Sequence, residues 1–161
     1  MRKKGFTIVE LLIYMGLMSG FLVIMGNVFF SVLDLQLESK ASSDVQQDGQ
    51  FILSRLGYDL RRATAVSVPA TAGETGNSLI MTIGGSNFAY SVNGGDLQLT
   101  AGGGSQNLTS FGSSIQDFSV TRLQNPGGLP SLKISFTLIS RDTNLQQRSE
   151  VKSYEETLTL R

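Results

Sequence analysis

The order of apolar and polar residues divides the chain into three stretches. From Leu11 to Leu33 no charged residue occurs. At about 1.5 Å rise per residue this run makes roughly 34 Å of helix, enough to cross a hydrocarbon core of about 30 Å. Beyond Asp34 the pattern becomes periodic. Leu37, Ala41, Val45, Ile52, Leu56, Leu60 and Ala63 recur at three-, four- and seven-residue steps, with Glu38, Lys40, Asp44, Asp48, Arg55, Asp59 and Arg61 between them. That spacing predicts an amphipathic helix over 34–65, continuous with the apolar one and packed on a sheet. Gly49 and Gly57 are expected to bend it.

From Val66 onward, to 161, the signals are those of strands. "SLIMTI" at 78–83, "FAYSV" at 88–92 and "DLQLT" at 96–100 have strand composition, and Asn93-Gly94-Gly95 between the last two predicts a hairpin turn. Phe88, Tyr90 and Val92 are expected on one face, opposite Leu97 and Leu99. "QDFSVTRL" at 116–123 and "SLKISFTLIS" at 131–140 read as further strands, the second with a clear inward stripe of Leu132, Ile134, Phe136 and Leu138. "NPGGLP" at 125–130 is a loop by its glycines and prolines. The stretch from Val151 to Leu160 alternates imperfectly and reads as a final strand with a bulge or irregular start. Six or seven mainly antiparallel strands on one helix make the fold class α+β.

Composition narrows the chemistry. Lys plus Arg equal Asp plus Glu, so the net charge gives no reason to expect nucleic acid or an acidic tail. Cysteine and histidine are both absent, which excludes disulfides and thiolate sites and removes the commonest general base and metal ligand near neutral pH. No catalytic residue, metal ligand or cofactor is expected, and an anchored enzyme is disfavoured. "AGGGS" at 101–105 lacks the Lys-Ser/Thr that completes a phosphate loop and reads as a flexible connection. Asn107-Leu108-Thr109 fits a glycosylation sequon, a short motif of low specificity. The acidic residues lack calcium-loop spacing. Arg61 and Arg62, at a helix end without stacking aromatics, suit the macrodipole better than a nucleic-acid groove.

The start of the chain adds something sharper. Arg2, Lys3 and Lys4 precede Gly5, Phe6 follows, and Glu10 stands just inside the apolar stretch. A secretory signal peptide, a plain single-pass anchor and a buried core helix each account for the length or the hydropathy. On a plain anchor Glu10 would sit at headgroup depth and snorkel to water, whereas an ionisable group at the edge of lipid is costly and by default a functional-site candidate. The positive residues place the N-terminal side in the cytoplasm and the rest of the chain outside it.

The string "KKGFTIVELLI" resembles the prepilin leader of type IV pilins and type II secretion pseudopilins. The resemblance implies a pilin-like fold and a leader at 1–5, which a dedicated membrane peptidase removes after Gly5. It also implies N-methylation of the new terminus, Phe6, and a membrane-spanning and assembly helix at 6–33. Glu10 matches the family's acid four residues beyond the new terminus. Cleavage would create an amine at Phe6. A carboxylate and an ammonium that are each costly to desolvate alone partly offset one another when paired, so Glu10 would act as a register device between adjacent subunits. Gly16 and Gly20 form a small-xxx-small pair that permits close helix approach. The helix-breaking proline of many family members is missing. "FILSRLGYDLRRA", Phe51 to Ala63, resembles the end of the long helix in the branch of J-type minor pseudopilins and W-type minor pilins.

The expected function is therefore a minor pilin or pseudopilin, a structural subunit acting in filament initiation or at the tip. The resemblance implies as partners the prepilin peptidase, other pilin subunits, the membrane platform of the machine and, before assembly, the lipid bilayer. The alternative is a tip adhesin or DNA-uptake subunit that binds ligand through its β-domain loops.

Overall fold

The computed structural model describes residues 6–123, 130–143 and 149–160. Helix α1 runs without interruption over Ile8–Arg62. Thr7 caps it, its Oγ1 accepting the Glu10 backbone N–H at 3.2 Å, and it ends where Ala63 turns to extended backbone. At 1.5 Å per residue its 55 residues span about 80 Å. No residue from Phe6 to Leu33 is buried, and the buried face begins at Ala41. It continues through Val45, Asp48, Gly49, Ile52, Leu56, Gly57, Asp59 and Leu60. Six of the seven periodic apolar positions are buried, and Leu37, nearest the apolar half, is half-buried.

Among the described residues nine strands follow, more than the six or seven expected, and they form two antiparallel sheets. They are β1 (Ala65–Val68), β2 (Thr75–Gly76), β3 (Ser78–Ile83), β4 (Ser86–Asn93), β5 (Asp96–Ala101), β6 (Gly104–Asn107), β7 (Ser113–Leu123), β8 (Ser131–Thr143) and β9 (Ser149–Thr159). One sheet has the order β1-β3-β4-β5-β6 and the other β2-β7-β8-β9. The layout is α+β, as the sequence predicts, with α1 lying chiefly on β8 and β9.

Three two-residue turns shape the first sheet. Asn93-Gly94-Gly95 closes β4 onto β5 as expected, and Gly84-Gly85 does the same between β3 and β4. "AGGGS" is a third hairpin and not a flexible connection. Ala101 pairs with Gly104, and the intervening Gly102 and Gly103 have φ of 60° and 84°. Both values lie in the left-handed region that the primed hairpin turns require. The segment 125–129 of the proline-glycine loop lies outside the described residues.

The core joins the helix to both sheets: Val45, Ile52, Leu56 and Leu60 meet Leu79, Met81, Tyr90, Leu97 and the stripe Leu132, Ile134, Phe136 and Leu138. Tyr90, Leu97 and Leu99 share the inward face, while Phe88 is half-buried and Val92 is exposed at the strand's end. In β7 the inward positions shift from Ser113 and Ile115 to Phe118 and Val120 across a one-residue bulge, where Asp117 takes φ 52°. The sheets are stitched by Ile115 N–H to Gly95 O at 2.8 Å. Arg122 adds to this by donating to the carbonyls of Val66, Pro69 and Ala70.

Candidate functional site

Among the described residues the rest of the fold buries nothing on the apolar half of α1. That half is long and apolar enough to cross a membrane, and among the described residues no other helix is. Side-chain hydroxyls within it are satisfied internally: Ser19 donates to the Gly16 carbonyl and Ser31 to that of Asn27, each at 3.0 Å. In lipid such back-bonding removes donors that would otherwise lack partners.

At its start the helix uses three residues together. Thr7 and Glu10 stand in the Thr-x-x-Glu relation of a capping box, which satisfies an orphan N–H of the first turn and puts an acid near the positive end of the dipole. The Glu10 carboxylate accepts from the Tyr14 hydroxyl at 3.5 Å, and the Tyr14 ring meets Phe6 edge to face at 6.2 Å. Thr7 and Tyr14 were not singled out by the sequence reading, although the Thr-x-x-Glu spacing and the four-residue step from Glu10 to Tyr14 would both have found them. Gly5, with the rest of 1–5, lies outside the described residues. Phe6 is 75% exposed.

Phe6, Tyr14, Leu17, Met18 and Phe21 line an apolar groove along the helix. A Cβ built at Gly16 or Gly20 would meet nothing within 4 Å, so both glycines lie open on the helix surface. The structure thus brings Phe6 and Glu10 to one end of a bare helix through Tyr14. Gly16 and Gly20 lie about two and three turns beyond Glu10.

The second half of α1 fixes the β domain to this helix through two acids. Asp48 accepts from the Ser110 N–H at 2.9 Å and from the Ser113 hydroxyl, holding the start of β7. Asp59, fully buried, accepts at one oxygen from Arg55 Nε at 2.9 Å and from the Tyr90 phenol at 2.5 Å, holding β4. Burial, followed by the bond to Asp59, pushes the Tyr90 phenol well above its usual range. Burial and then Asp48 raise Tyr154, whose hydroxyl donates to the Val45 carbonyl at 3.0 Å. Lys40 pairs with Asp142 at 2.5 Å, and that hydrogen bond raises its pKa. Glu74 is held low by the N–H and hydroxyl of Thr71 and the N–H of Ala70.

Gly49 and Gly57, expected as bends, lie inside an unbroken helix. Gly49 instead admits the ring of Tyr154, which a Cβ there would overlap. Arg61 and Arg62 occupy the last turn, where Arg62 stacks 5.0 Å over Tyr58 and donates to its hydroxyl. Asn107, of the sequon, donates to Asp96. Among the described residues no group of three or more Asp and Glu converges as a metal site would require.

Comparison of the chain with family models, curated proteins and solved structures returns no match.

Proposed function

We propose that this chain is a non-enzymatic filament subunit of the minor pilin or pseudopilin kind, cleaved between Gly5 and Phe6 and methylated at Phe6. The observation that carries the reading is the division of one continuous helix. Its first half, headed by Glu10, is apolar and uncovered, and its second half bears the entire β domain. Such a helix serves first as a membrane anchor with its N-terminus cytoplasmic, and then as the packing surface on other subunits. In the assembled state the Glu10 carboxylate meets the Phe6 amine of a neighbour, and Gly16 and Gly20 allow close approach. Peptidase, platform and fellow subunits follow as partners from the motif "KKGFTIVELLI".

Mass spectrometry of the N-terminus of the membrane-extracted protein tests this. A terminus at a methylated Phe6 is expected. An intact Met1, or a cut elsewhere, overturns the assignment.

A further inference from the structure

Phe111 is 98% exposed, yet its loop is rigidly held. Before it, the Ser110 N–H is bound to Asp48. After it, the Gly112 N–H donates to Ser110 Oγ at 3.2 Å and the Gly112 carbonyl accepts from Arg141 N–H at 2.8 Å. A Cβ at Gly112 would collide with Asp44, so the loop lies directly on the helix there. The backbone on either side of Phe111 is thus held on the helix and on β8 while the ring itself stands in solvent, which is where an interface anchor is placed.

The opposite end of the domain carries a receptor of suitable chemistry. Ile83, Phe88 and Ala101, between the glycine turns of β3–β4 and β5–β6, form an open depression of about 600 Å³ with Arg62 at its edge. No Cβ at Gly84 or Gly102 would meet anything within 4 Å, so its walls are low and leave room for a ring. The charges also match. Asp44 and Asp142, with Lys40 between them, leave the Phe111 end biased to acid, the Arg141 guanidinium there being paired with Asp96, while Arg62 biases the depression to base. Opposed potentials of this kind fix orientation and suppress other pairings.

We infer that Phe111 of one copy seats in the Ile83–Phe88–Ala101 depression of a second copy. The two patches lie against α1 at Asp44–Asp48 and at Arg62, about 21–27 Å apart along the axis at 1.5 Å per residue. The contact is therefore head to tail for copies whose helices point the same way. It is heterologous, joining unlike patches of the two copies, instead of closing as a two-fold pair. It stands on the β domain alone, so an unprocessed N-terminus would remove the filament reading and leave this contact untouched.

The test places p-benzoylphenylalanine at position 111 of the detergent-solubilised full-length chain, irradiates it, and maps the adducts by mass spectrometry. Dimers joined from 111 to the segments 83–88 or 101–102 are expected. Adducts elsewhere on the protein, adducts to detergent only, or no dimers overturn the inference. With the same probe, Arg62→Glu should lower the mapped adduct roughly fivefold or more by replacing attraction with repulsion, and an unchanged yield would count against the contact. Neither change touches the core, since Phe111 and Arg62 are both exposed.

Discussion

The Tyr90 phenol and the Asp59 carboxylate are joined at 2.5 Å in the interior, and this one bond ties the middle of the first sheet to the helix. Arg55 shares the same carboxylate oxygen, and among the described residues the other oxygen accepts no hydrogen bond. Tyr90→Phe therefore leaves a buried acid with a single partner and should cost about 1–3 kcal/mol, the range for a buried polar group that loses its bond. Urea unfolding, reading the midpoint at unchanged slope, checks it. The pH dependence has a definite sign. Because the phenol is raised in the folded state, its contribution is fully present below the unfolded value of about 10 and is lost as pH rises past it. Tyr154 and Lys40, also raised, act in the same direction. Stability should fall above about pH 10, and Tyr90→Phe should flatten that fall. An equally steep decline in the variant would show that Tyr90 is not its source.

Two glycines of the same helix should respond to alanine with opposite signs. At Gly57 the nearest atoms to an added Cβ are 3.8 Å away, on Arg61 and Leu158. Gly57→Ala should therefore gain up to about 1 kcal/mol of helix propensity. At Gly49 the Cβ would overlap the Tyr154 ring. That ring is held by its bond to Val45 and by stacking on Phe136 with centroids 5.2 Å apart. Gly49→Ala should cost about 1–3 kcal/mol net of propensity, and much less in a Tyr154→Ala background. Thermal melts of the wild type, Gly57→Ala, Gly49→Ala, Tyr154→Ala and the Gly49→Ala/Tyr154→Ala double variant decide it. Equal effects of Gly49→Ala in both backgrounds would contradict the close-packing account.

These contrasts show where the sequence could be read and where it could not. The helix face was legible because Ala41, Val45, Ile52, Leu56 and Leu60 keep a strict helical step. The stripe Leu132–Leu138 was legible because every second residue is apolar. Strand β7 was seen only from 116 because the bulge at Asp117 shifts the inward positions by one and hides the alternation of Ser113 and Ile115. Strands β1, β2 and β6 escaped because their residues are few and mostly exposed, so nothing in their hydropathy marks them. Asp48 and Asp59 read as solvent-facing charges. Their burial depends on partners 31 to 65 residues away, which local pattern cannot supply. At the N-terminus Phe6, Glu10, Gly16 and Gly20 were legible as sequence, whereas Phe111 carried no pattern at all.

The apolar half of α1 should be separable from the β domain. Among the described residues every buried apolar one lies at Ala41 or beyond, and nothing between Phe6 and Leu33 is buried. A chain beginning at Asp34 should stay monodisperse without detergent at low concentration. It should also melt within a few degrees of the full-length protein in detergent, since surface changes away from such features move stability by only about 0.5 kcal/mol. Differential scanning fluorimetry and circular dichroism measure this. A broad, non-cooperative melt of the shortened chain would mean that the apolar half contributes to the core after all.

Glu10 admits a sharper test, because the structure gives it a local role beside the proposed intermolecular one. It stands in the first turn of α1 with Thr7 as cap and accepts from Tyr14 at 3.5 Å. Glu10→Gln retains shape and hydrogen-bonding capacity while removing charge. Local capping should change by no more than the 0.3–1 kcal/mol typical of a helix-dipole interaction, roughly, and helix content should be preserved. Pairing with a neighbour's amine depends on the charge itself, so processing at Gly5 should persist while incorporation into filaments drops severely. Tyr14→Phe separates the two roles: it removes the local bond and leaves the carboxylate free, so incorporation should remain near normal. Quantitative immunoblots of sheared filament fractions against membrane fractions read both variants. Full incorporation of Glu10→Gln, or equal loss in the two variants, would assign Glu10 to local helix structure and not to assembly.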